Sequence, residues 1–273
     1  MPLRLSSTFR ADLAGASRPL AGVWVCSGSP LVAEICAGAG LDWLLIDLEH
    51  APNSLESTLA QLQAVAAYPT TPVVRVPSLD AVVLKQVLDL GAQNVLVPMV
   101  SSVDDAVRAV EAVRYPPRGR RGVGSALARS ARWNRVDEYL MDAAQHTSLF
   151  VQIETAEAVE AAAAIAAVEG IDGVFVGPSD LAASMGLIGQ QGHPQVIDAV
   201  LRTFAAVSAA GKPVGVNAFD PDLAQRYLDA GADYLLVGAD VALLARATEG
   251  LAARWTRPDG RDRGPDAAER ASY

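Results

Sequence analysis

The chain has 273 residues, of which 51% are hydrophobic and 19% are charged, and its formal net charge is −9 at pH 7. This length suits one domain, and the apolar fraction is ample for a large core. The acidic balance lacks the clustered Lys and Arg that binding to nucleic acid or to an anionic membrane surface requires, so we expect small-molecule chemistry.

Short apolar segments rich in β-branched residues alternate along the chain with segments of helical periodicity. Eight strands are predicted, at Gly22–Val25, Trp43–Asp47, Pro72–Arg75, Asn94–Val97, Leu149–Ile153, Gly173–Val176, Pro213–Val216 and Tyr234–Gly238. Helices are predicted at Ser54–Tyr68, Leu79–Leu88, Ser102–Ala112, Thr155–Val168, Pro194–Ala210, Pro221–Asp229 and Asp240–Trp255. An open doubly wound sheet fits this alternation, but eight units in about 240 residues favour a closed (β/α)8 TIM barrel.

We expect a single barrel domain over residues 1–255 that ends in a C-terminal helix. Two segments depart from the alternation: residues 115–135 form a long excursion rich in Arg and Gly, and residues 256–273 form a polar tail that we expect to be disordered. Residues 1–10 lack the apolar segment of a secretory signal, and no run of about 18 apolar residues occurs. Cys26 and Cys36 match no metal or redox spacing, so we expect a cytoplasmic protein with reduced cysteines.

Polar residues end several of the predicted strands, and barrel enzymes place their chemistry at the carboxyl ends of their strands. Glu154 and Asp180 follow consecutive strands, so their oxygens could converge on one Mg²⁺, Mn²⁺ or Co²⁺ ion. A structural ion pair with Arg75 is the alternative for these carboxylates, because buried carboxylates are costly without a partner. The remaining polar residues at these ends are Asp47, Glu49 and His50 after the second strand and Gln152 in the fifth.

Arg75 ends the third strand and offers a planar fork that matches a substrate carboxylate or the charge of an enolate, although a structural ion pair also fits. His50 is the acid–base candidate, because His146 is predicted near the opposite face of the barrel and His193 in a loop at the start of a helix, where structural or surface roles are expected.

The two lysines of the chain exclude one class of mechanism. Lys85 is predicted in the middle of a helix, and Lys212 is predicted at the opposite end of the barrel. A Schiff base needs a lysine in the catalytic mouth, so carbonyl chemistry here would be metal-assisted. The sequence also lacks a GxSxG elbow, a P-loop and a GxGxxG fingerprint.

Four motifs in order along the chain resemble the HpcH/HpaI aldolase family, metal-dependent class II pyruvate aldolases of the 4-hydroxy-2-oxoheptanedioate aldolase type. They are residues 46–53 (IDLEHAPN), residues 119–124 (GRRGVG) with Ala128-Arg129 and Trp133-Asn134 after them, residues 152–155 (QIET) and residues 176–181 (VGPSDL). The resemblance covers roughly residues 10–255. It implies a barrel of the phosphoenolpyruvate/pyruvate-domain type and a homohexamer, a trimer of dimers, whose last helix is exchanged between neighbours.

The resemblance also implies roles for individual residues. Glu154 and Asp180 would bind the divalent ion, and Gln152 and the backbone around Ser179 would border the bound 2-oxoacid. Arg75 would neutralise the enolate, and His50 would transfer protons, with Asp47 and Glu49 in support. Asp89 would be the acid that partners the histidine, within the chain or across a subunit boundary; a solvated carboxylate at a helix end is the alternative.

One residue departs from the family pattern. Relatives usually have Gly where this chain has Leu48, and the Leu form is similar to the citrate lyase β-subunit and malyl-CoA lyase branch, which usually has Asp at the position of His50. The histidine and the loop at 119–134 keep the chain with the free 2-oxoacid aldolases. We therefore expect addition of a pyruvate or hydroxypyruvate enolate to an aldehyde, with a CoA-ester lyase and a catalytically silent barrel as the alternatives.

Overall fold

Eight parallel strands form a closed barrel in the computed structural model, which describes residues 3–256, and they follow one another around the barrel in chain order. They are β1 (Leu20–Val25), β2 (Trp43–Asp47), β3 (Thr71–Arg75), β4 (Asn94–Val97), β5 (Ser148–Ile153), β6 (Gly173–Val176), β7 (Val214–Asn217) and β8 (Tyr234–Ala239). Strand β8 pairs with β1 and closes the sheet, which confirms the TIM barrel and excludes the open sheet. Except for Thr256, the tail predicted at 256–273 lies outside the described residues.

Helices lie between the strands and around the barrel. They are α1 (Phe9–Gly15), α2 (Pro30–Ala37), α3 (Leu55–Ala64), α4 (Ala81–Asp89), α5 (Val103–Val113), α6 (Tyr139–Asp142), α7 (Ala156–Ala166), α8 (Pro178–Ser184), α9 (Pro194–Ala209), α10 (Pro221–Asp229) and α11 (Asp240–Trp255). All seven predicted helices are present with small shifts at their ends; α1, α2, α6 and α8 were not among the predicted ranges. Within residues 3–256, no helix combines the length and the apolar character that crossing a bilayer would need.

Local sequence explains where the helices begin and end. The side chains of Ser54, Ser102 and Thr155 accept backbone N–H groups from the first turns of α3, α5 and α7. Helix α4 ends before Gly91, whose φ of +94° reverses the chain into β4 without the steric cost that another residue would incur.

The core has two layers, one between the barrel and its helices and one inside the barrel. The inner layer contains an aromatic cluster in which Phe9 of α1 packs 4.9 Å from the ring of Trp43 and 5.2 Å from that of Phe150. Because the N–H of Phe9 donates to the side chain of Asn94, at the start of β4, α1 covers the amino-terminal end of the barrel. The opposite end, where the strands finish, is left open for polar residues.

Candidate active site

A cavity of about 660 Å³ lies at the carboxyl ends of the strands. It is lined by six of the residues that sequence analysis selected: Asp47, His50, Arg75, Gln152, Ser179 and Asp180. Glu49 and Glu154 lie next to these residues but are not part of the cavity wall. The structure therefore brings these side chains together at one end of the barrel, whereas Asp89, predicted near the end of a helix, does not line the cavity.

Arg75 is held from two sides at the end of β3. Its Nε and Nη2 atoms donate to the two carboxylate oxygens of Asp47, each at 2.8 Å. The guanidinium carbon lies 4.2 Å from the ring centroid of Trp24, a distance at which a cation and an aromatic face attract each other. The side chain is only 6% exposed, so the guanidinium is fixed before any substrate arrives.

The turn after β2 carries Glu49 and His50. The carboxylate of Asp47 accepts the backbone N–H groups of both residues, at 3.0 and 3.2 Å. The Asp47 side chain therefore holds both this turn and the guanidinium of Arg75 in place. Glu49 Oε2 lies 2.8 Å from Nη1 of Arg75, a charge contact without hydrogen-bond geometry. Burial raises the pKa of the Glu49 carboxyl, while the charges of Arg75 and His50 oppose that shift.

His50 lies at the rim of the cavity with 67% of its side chain exposed. Its Nε2 atom is 3.9 Å from Oε1 of Glu49, which is too far for a hydrogen bond. The imidazole can therefore turn toward a bound molecule without breaking a buried contact.

Glu154 is 2% exposed and follows β5. Its Oε1 accepts the backbone N–H of Met99 at 2.6 Å, and its Oε2 accepts a hydrogen bond from Nε2 of Gln152. Burial raises the pKa of Glu154 to about 7; the charges of Glu49 and Asp180 add to this shift, and the two hydrogen bonds oppose it. Ionisation of Glu154 is therefore unfavourable unless a positive charge lies beside the carboxylate.

The ion pair with Arg75 that was the alternative for Glu154 and Asp180 does not form. Within residues 3–256, Arg75 forms ion pairs with Asp47 and Glu49 and with neither of those two acids. The same residues contain no group of three or more His, Cys, Asp or Glu side chains arranged to hold a metal ion. A cation bound here would therefore have two protein carboxylates and would take its other ligands from substrate and water, which is the coordination that Mg²⁺ prefers.

The backbone at Gly177 lies very close to the side chains of Glu154 and Gln152. A Cβ atom on Gly177 would lie 2.9 Å from Oε2 of Glu154 and 2.8 Å from Nε2 of Gln152, closer than real side chains approach. The Oε1 atom of Gln152 is buried and has no hydrogen-bond donor within the described part of the chain. An acceptor oxygen without a donor beside a carboxylate with a raised pKa fits a site built for a cation.

Asp89 lies at the other end of the molecule. It is the last residue of α4, which runs back from the mouth, and its Oδ1 accepts a hydrogen bond at 2.9 Å from Nη2 of the buried Arg121. A single chain therefore does not bring Asp89 to His50. The local environment is a structural ion pair between α4 and the excursion at 115–135.

Sequence reasoning missed several residues of the mouth. Trp24 donates from Nε1 to Oδ1 of Asn217 at 2.7 Å, and both line the cavity. Asp240 accepts the backbone N–H of Cys26 at 2.8 Å and so joins the start of α11 to the end of β1. The position of Asn217 and Asp240 directly at strand ends could have identified them. Cys26 also faces the cavity, but burial raises its pKa to about 12, so it is not a nucleophile at neutral pH.

Leu48, where the chain departs from the family pattern, packs against the outer hydrophobic core and is absent from the cavity wall. Its backbone N–H donates to the carbonyl oxygen of Arg75 at 3.0 Å. Leu48, which directly precedes Glu49 and His50, therefore contributes to packing between the barrel and its helices. The cavity wall contains Trp24, Asn217 and Phe219 instead.

Comparison with known proteins gives consistent matches over most of the chain. The family model described as HpcH/HpaI aldolase/citrate lyase matches residues 20–247. The 4-hydroxy-2-oxo-heptane-1,7-dioate aldolase of Escherichia coli is 51% identical over 251 residues, covering 92% of this chain and 95% of that protein. The enzyme of the same name from Salmonella dublin is 52% identical, covering 89% and 93%. The crystal structure of an HpcH/HpaI aldolase/citrate lyase family protein from Burkholderia cenocepacia superposes with a TM-score of 0.87 at 40% identity, covering 92% of this chain and all of that one.

Proposed function

The chain belongs to the HpcH/HpaI aldolase/citrate lyase family and is an aldolase, a carbon–carbon lyase, and we propose that it joins a pyruvate-type enolate to an aldehyde at the mouth described above. The products would be 4-hydroxy-2-oxoacids, and cleavage of these acids would follow the same steps in reverse. The observation that carries this proposal is the buried carboxylate of Glu154, whose pKa is raised to about 7. It lies next to the cavity that Arg75 and Asp180 line, and it accepts a hydrogen bond from Gln152 of the same wall.

We propose Glu154 and Asp180 as ligands of a divalent cation, Mg²⁺, Mn²⁺ or Co²⁺. The raised pKa of Glu154, the unpaired Oε1 of Gln152 and the close approach of Gly177 support this assignment. A cation bound there supplies Lewis-acid polarisation of the 2-oxo group and makes the neighbouring C3 protons more acidic.

The other residues would bind and orient the 2-oxoacid. Arg75 presents a fixed guanidinium toward the cavity, where it would stabilise negative charge that develops on the enolate oxygen. Gln152 and the backbone of Ser179 would border the 2-oxoacid on the side of β5 and β6. Because Arg75 is already held by Asp47 and by the face of Trp24, its position would need little change between ground state and transition state.

We propose His50 as the group that accepts a proton from C3 and returns it during cleavage. Its exposure at the rim and its freedom from buried contacts support this role. Asp89 would reach His50 only from a second copy of the chain, because within one chain it lies at the opposite end of the barrel.

We further propose a hexameric assembly, a trimer of dimers, in the cytoplasm. Helix α11 supports self-association, since Leu243, Leu244, Leu251 and Trp255 expose from 58% to 77% of their surface in the isolated chain. The two free cysteines fit a reducing compartment.

The decisive experiment follows exchange of the methyl protons of pyruvate in deuterated water by nuclear magnetic resonance. We expect exchange with added Mn²⁺, none after treatment with a chelator, recovery when metal is restored, and none in Glu154→Gln at any metal concentration. Glu157→Gln, an exposed glutamate three residues along the chain, is the matched control and should keep full exchange.

The same preparation should cleave a free 4-hydroxy-2-oxoacid faster than malyl-CoA or citramalyl-CoA. Exchange that persists in Glu154→Gln without metal, or faster cleavage of a CoA ester, would contradict the proposal. A barrel without catalysis would show no exchange under any condition.

A further inference from the structure

A second cavity, of about 430 Å³, lies at the amino-terminal end of the barrel. Its wall includes Leu20, Thr71 and Asn94, the first residues of β1, β3 and β4, which place it at the end opposite the catalytic mouth. Two arginines of the excursion at 115–135, Arg129 and Arg132, also line it. The catalytic proposal assigns no role to this cavity or to these arginines.

The two arginine side chains converge on one point of the backbone. A Cβ atom on Gly91 would lie 2.7 Å from Nη1 of Arg129 and 2.9 Å from Nη1 of Arg132. Arg129 Nη1 donates to the carbonyl oxygen of Leu90 at 3.0 Å, and Arg132 Nη1 donates to that of Arg129. One nitrogen of each side chain is thus tied to the backbone, and the other donors have no hydrogen-bond partner in the part of the chain that the structure describes.

Among residues 3–256, no acidic side chain balances this pair. Within residues 3–256, neither Arg129 nor Arg132 forms an ion pair. The cavity does contain Asp12 and Asp42, but Asp42 pairs with Arg18, and Asp12 accepts the hydroxyl of Thr71 at 2.6 Å. Burial lowers the pKa of the Arg129 guanidinium, and the charge of Arg132 lowers it further.

Two half-buried positive charges close together are unfavourable without a counter-ion, and a guanidinium fork matches the oxygens of phosphate or carboxylate. We propose that Arg129 and Arg132 form a binding site for a small oxyanion, a phosphate or carboxylate group, at the end of the barrel opposite the active site. Such an anion would also fasten the excursion at 115–135 to the corner between α4 and β4, because Arg129 already contacts Leu90 there.

The test uses the full-length protein with its metal and inorganic phosphate as the probe, with sodium chloride at equal ionic strength as the reference. We expect phosphate to raise the melting temperature in a saturable manner and calorimetry to give one phosphate per chain at this site, because a ligand that binds only the native state stabilises it. Arg132→Gln should weaken phosphate binding by roughly tenfold or more, since a charged hydrogen-bonding partner is lost. Arg132→Lys keeps the positive charge but lacks the guanidinium fork. Its affinity for phosphate should lie between that of the unmodified protein and that of Arg132→Gln.

Arg202→Gln is the matched control, because Arg202 lies on the exposed face of α9 and pairs with Glu160 and Asp198. It should leave phosphate binding unchanged. Binding that is absent in the unmodified protein, or equally strong in Arg132→Gln, would overturn the proposal. If phosphate does not bind and Arg132→Gln instead dissociates the assembly in light scattering, the arginines meet a carboxylate of a second copy, and the free-anion site is likewise rejected.

Discussion

Asp47 and Arg75 occupy directly opposed positions on β2 and β3, and their side chains form two parallel hydrogen bonds of 2.8 Å. Both side chains are almost completely buried, although the pair borders the cavity of the candidate active site. One carboxylate therefore sets the orientation of the guanidinium and, through two backbone N–H groups, the turn that carries His50. Positioning and stability depend on the same residue.

Asp47→Asn tests this double role. We expect a loss of about 3–5 kcal/mol in the free energy of unfolding, because removal of one partner leaves a buried charge without compensation. Methyl-proton exchange of pyruvate should fall at least tenfold in the variant that remains folded. Asp198→Asn breaks an exposed pair with Arg202 and should cost less than about 1 kcal/mol. Urea denaturation of both variants makes the comparison, and equal losses would contradict a special role for Asp47.

The raised pKa of Glu154 predicts a pH dependence of stability in protein freed of metal. The pKa of Glu154 in the folded state lies above its pKa in the unfolded chain. The contribution of Glu154 to the free energy of unfolding is therefore complete below about pH 4.3 and is lost as the pH rises through about 7. The unmodified protein should therefore lose up to about 3 kcal/mol relative to Glu154→Gln between pH 5 and 8.

Thermal denaturation in the presence of a chelator, repeated across this pH range for both proteins, measures that difference. Added Mn²⁺ should restore stability more at pH 8 than at pH 6, because protons and metal compete for the same carboxylate. A difference between the two proteins that stays constant with pH would show that Glu154 does not titrate in this range.

Gly177→Ala should damage the cation site without straining the backbone. The φ of Gly177 is −100°, which alanine adopts freely, but the new methyl group would collide with Oε2 of Glu154 and Nε2 of Gln152. We expect affinity for Mn²⁺ to fall by roughly 10- to 100-fold, the range that is typical when groups supporting a metal ligand are disturbed. Gly15→Ala is the control, because in the described part of the chain an added Cβ would meet no atom within 4 Å beyond its chain neighbours and its own helix backbone. Calorimetric titration measures the affinity of both variants for Mn²⁺. Equal affinities would show that the space at Gly177 does not matter for the cation site.

Trp24→Phe separates binding of the aldehyde from formation of the enolate. The phenyl ring keeps an aromatic face under Arg75, but Asn217 loses the hydrogen bond that fixes its side chain in the cavity. Exchange of pyruvate protons should stay within about twofold, while kcat/KM for the aldehyde falls roughly two- to tenfold, the value of one hydrogen bond. Trp133→Phe, at an exposed position, should change neither rate. A parallel fall in both rates would show that Trp24 acts through Arg75.

Mixed assemblies test whether Asp89 acts on a neighbouring subunit. His50→Ala and Asp89→Asn should each have low activity alone. If the site is shared, random mixing of the two variants within one symmetric assembly restores about a quarter of the sites. Activity of the mixture that equals the average of the two separate variants would show that Asp89 does not complete the site of a second chain.

The sequence predicted the strands well because their apolar residues serve one purpose, burial on both faces of a parallel sheet. Once the strands were assigned, the rule that chemistry lies at their carboxyl ends gathered Asp47, His50, Arg75, Gln152 and Asp180 without further information. The rule could not reveal that Arg75 pairs with Asp47 and Glu49, because pairing depends on register and rotamers. It also could not assign Trp24, an ordinary core residue by sequence, to the mouth.

The helices that sequence reasoning did not select are short or lie outside the repeating pattern. Helix α1 precedes the first strand, and α8 adds a turn directly after β6, where the predicted pattern places only a loop. The proposed position of Asp180 depends on that short helix. Asp89 remains a prediction, because its assignment requires a second copy of the chain.

The closed seam between β8 and β1 has a consequence for how the protein acquires activity. His50 and Arg75 come from the first half of the chain, whereas Glu154 and Asp180 come from the second, so neither half contains all of the proposed catalytic groups. During refolding, enzyme turnover should appear only when the two halves have joined between β4 and β5 and between β8 and β1, later than the recovery of helical signal. Recovery of turnover would therefore report that the barrel has closed.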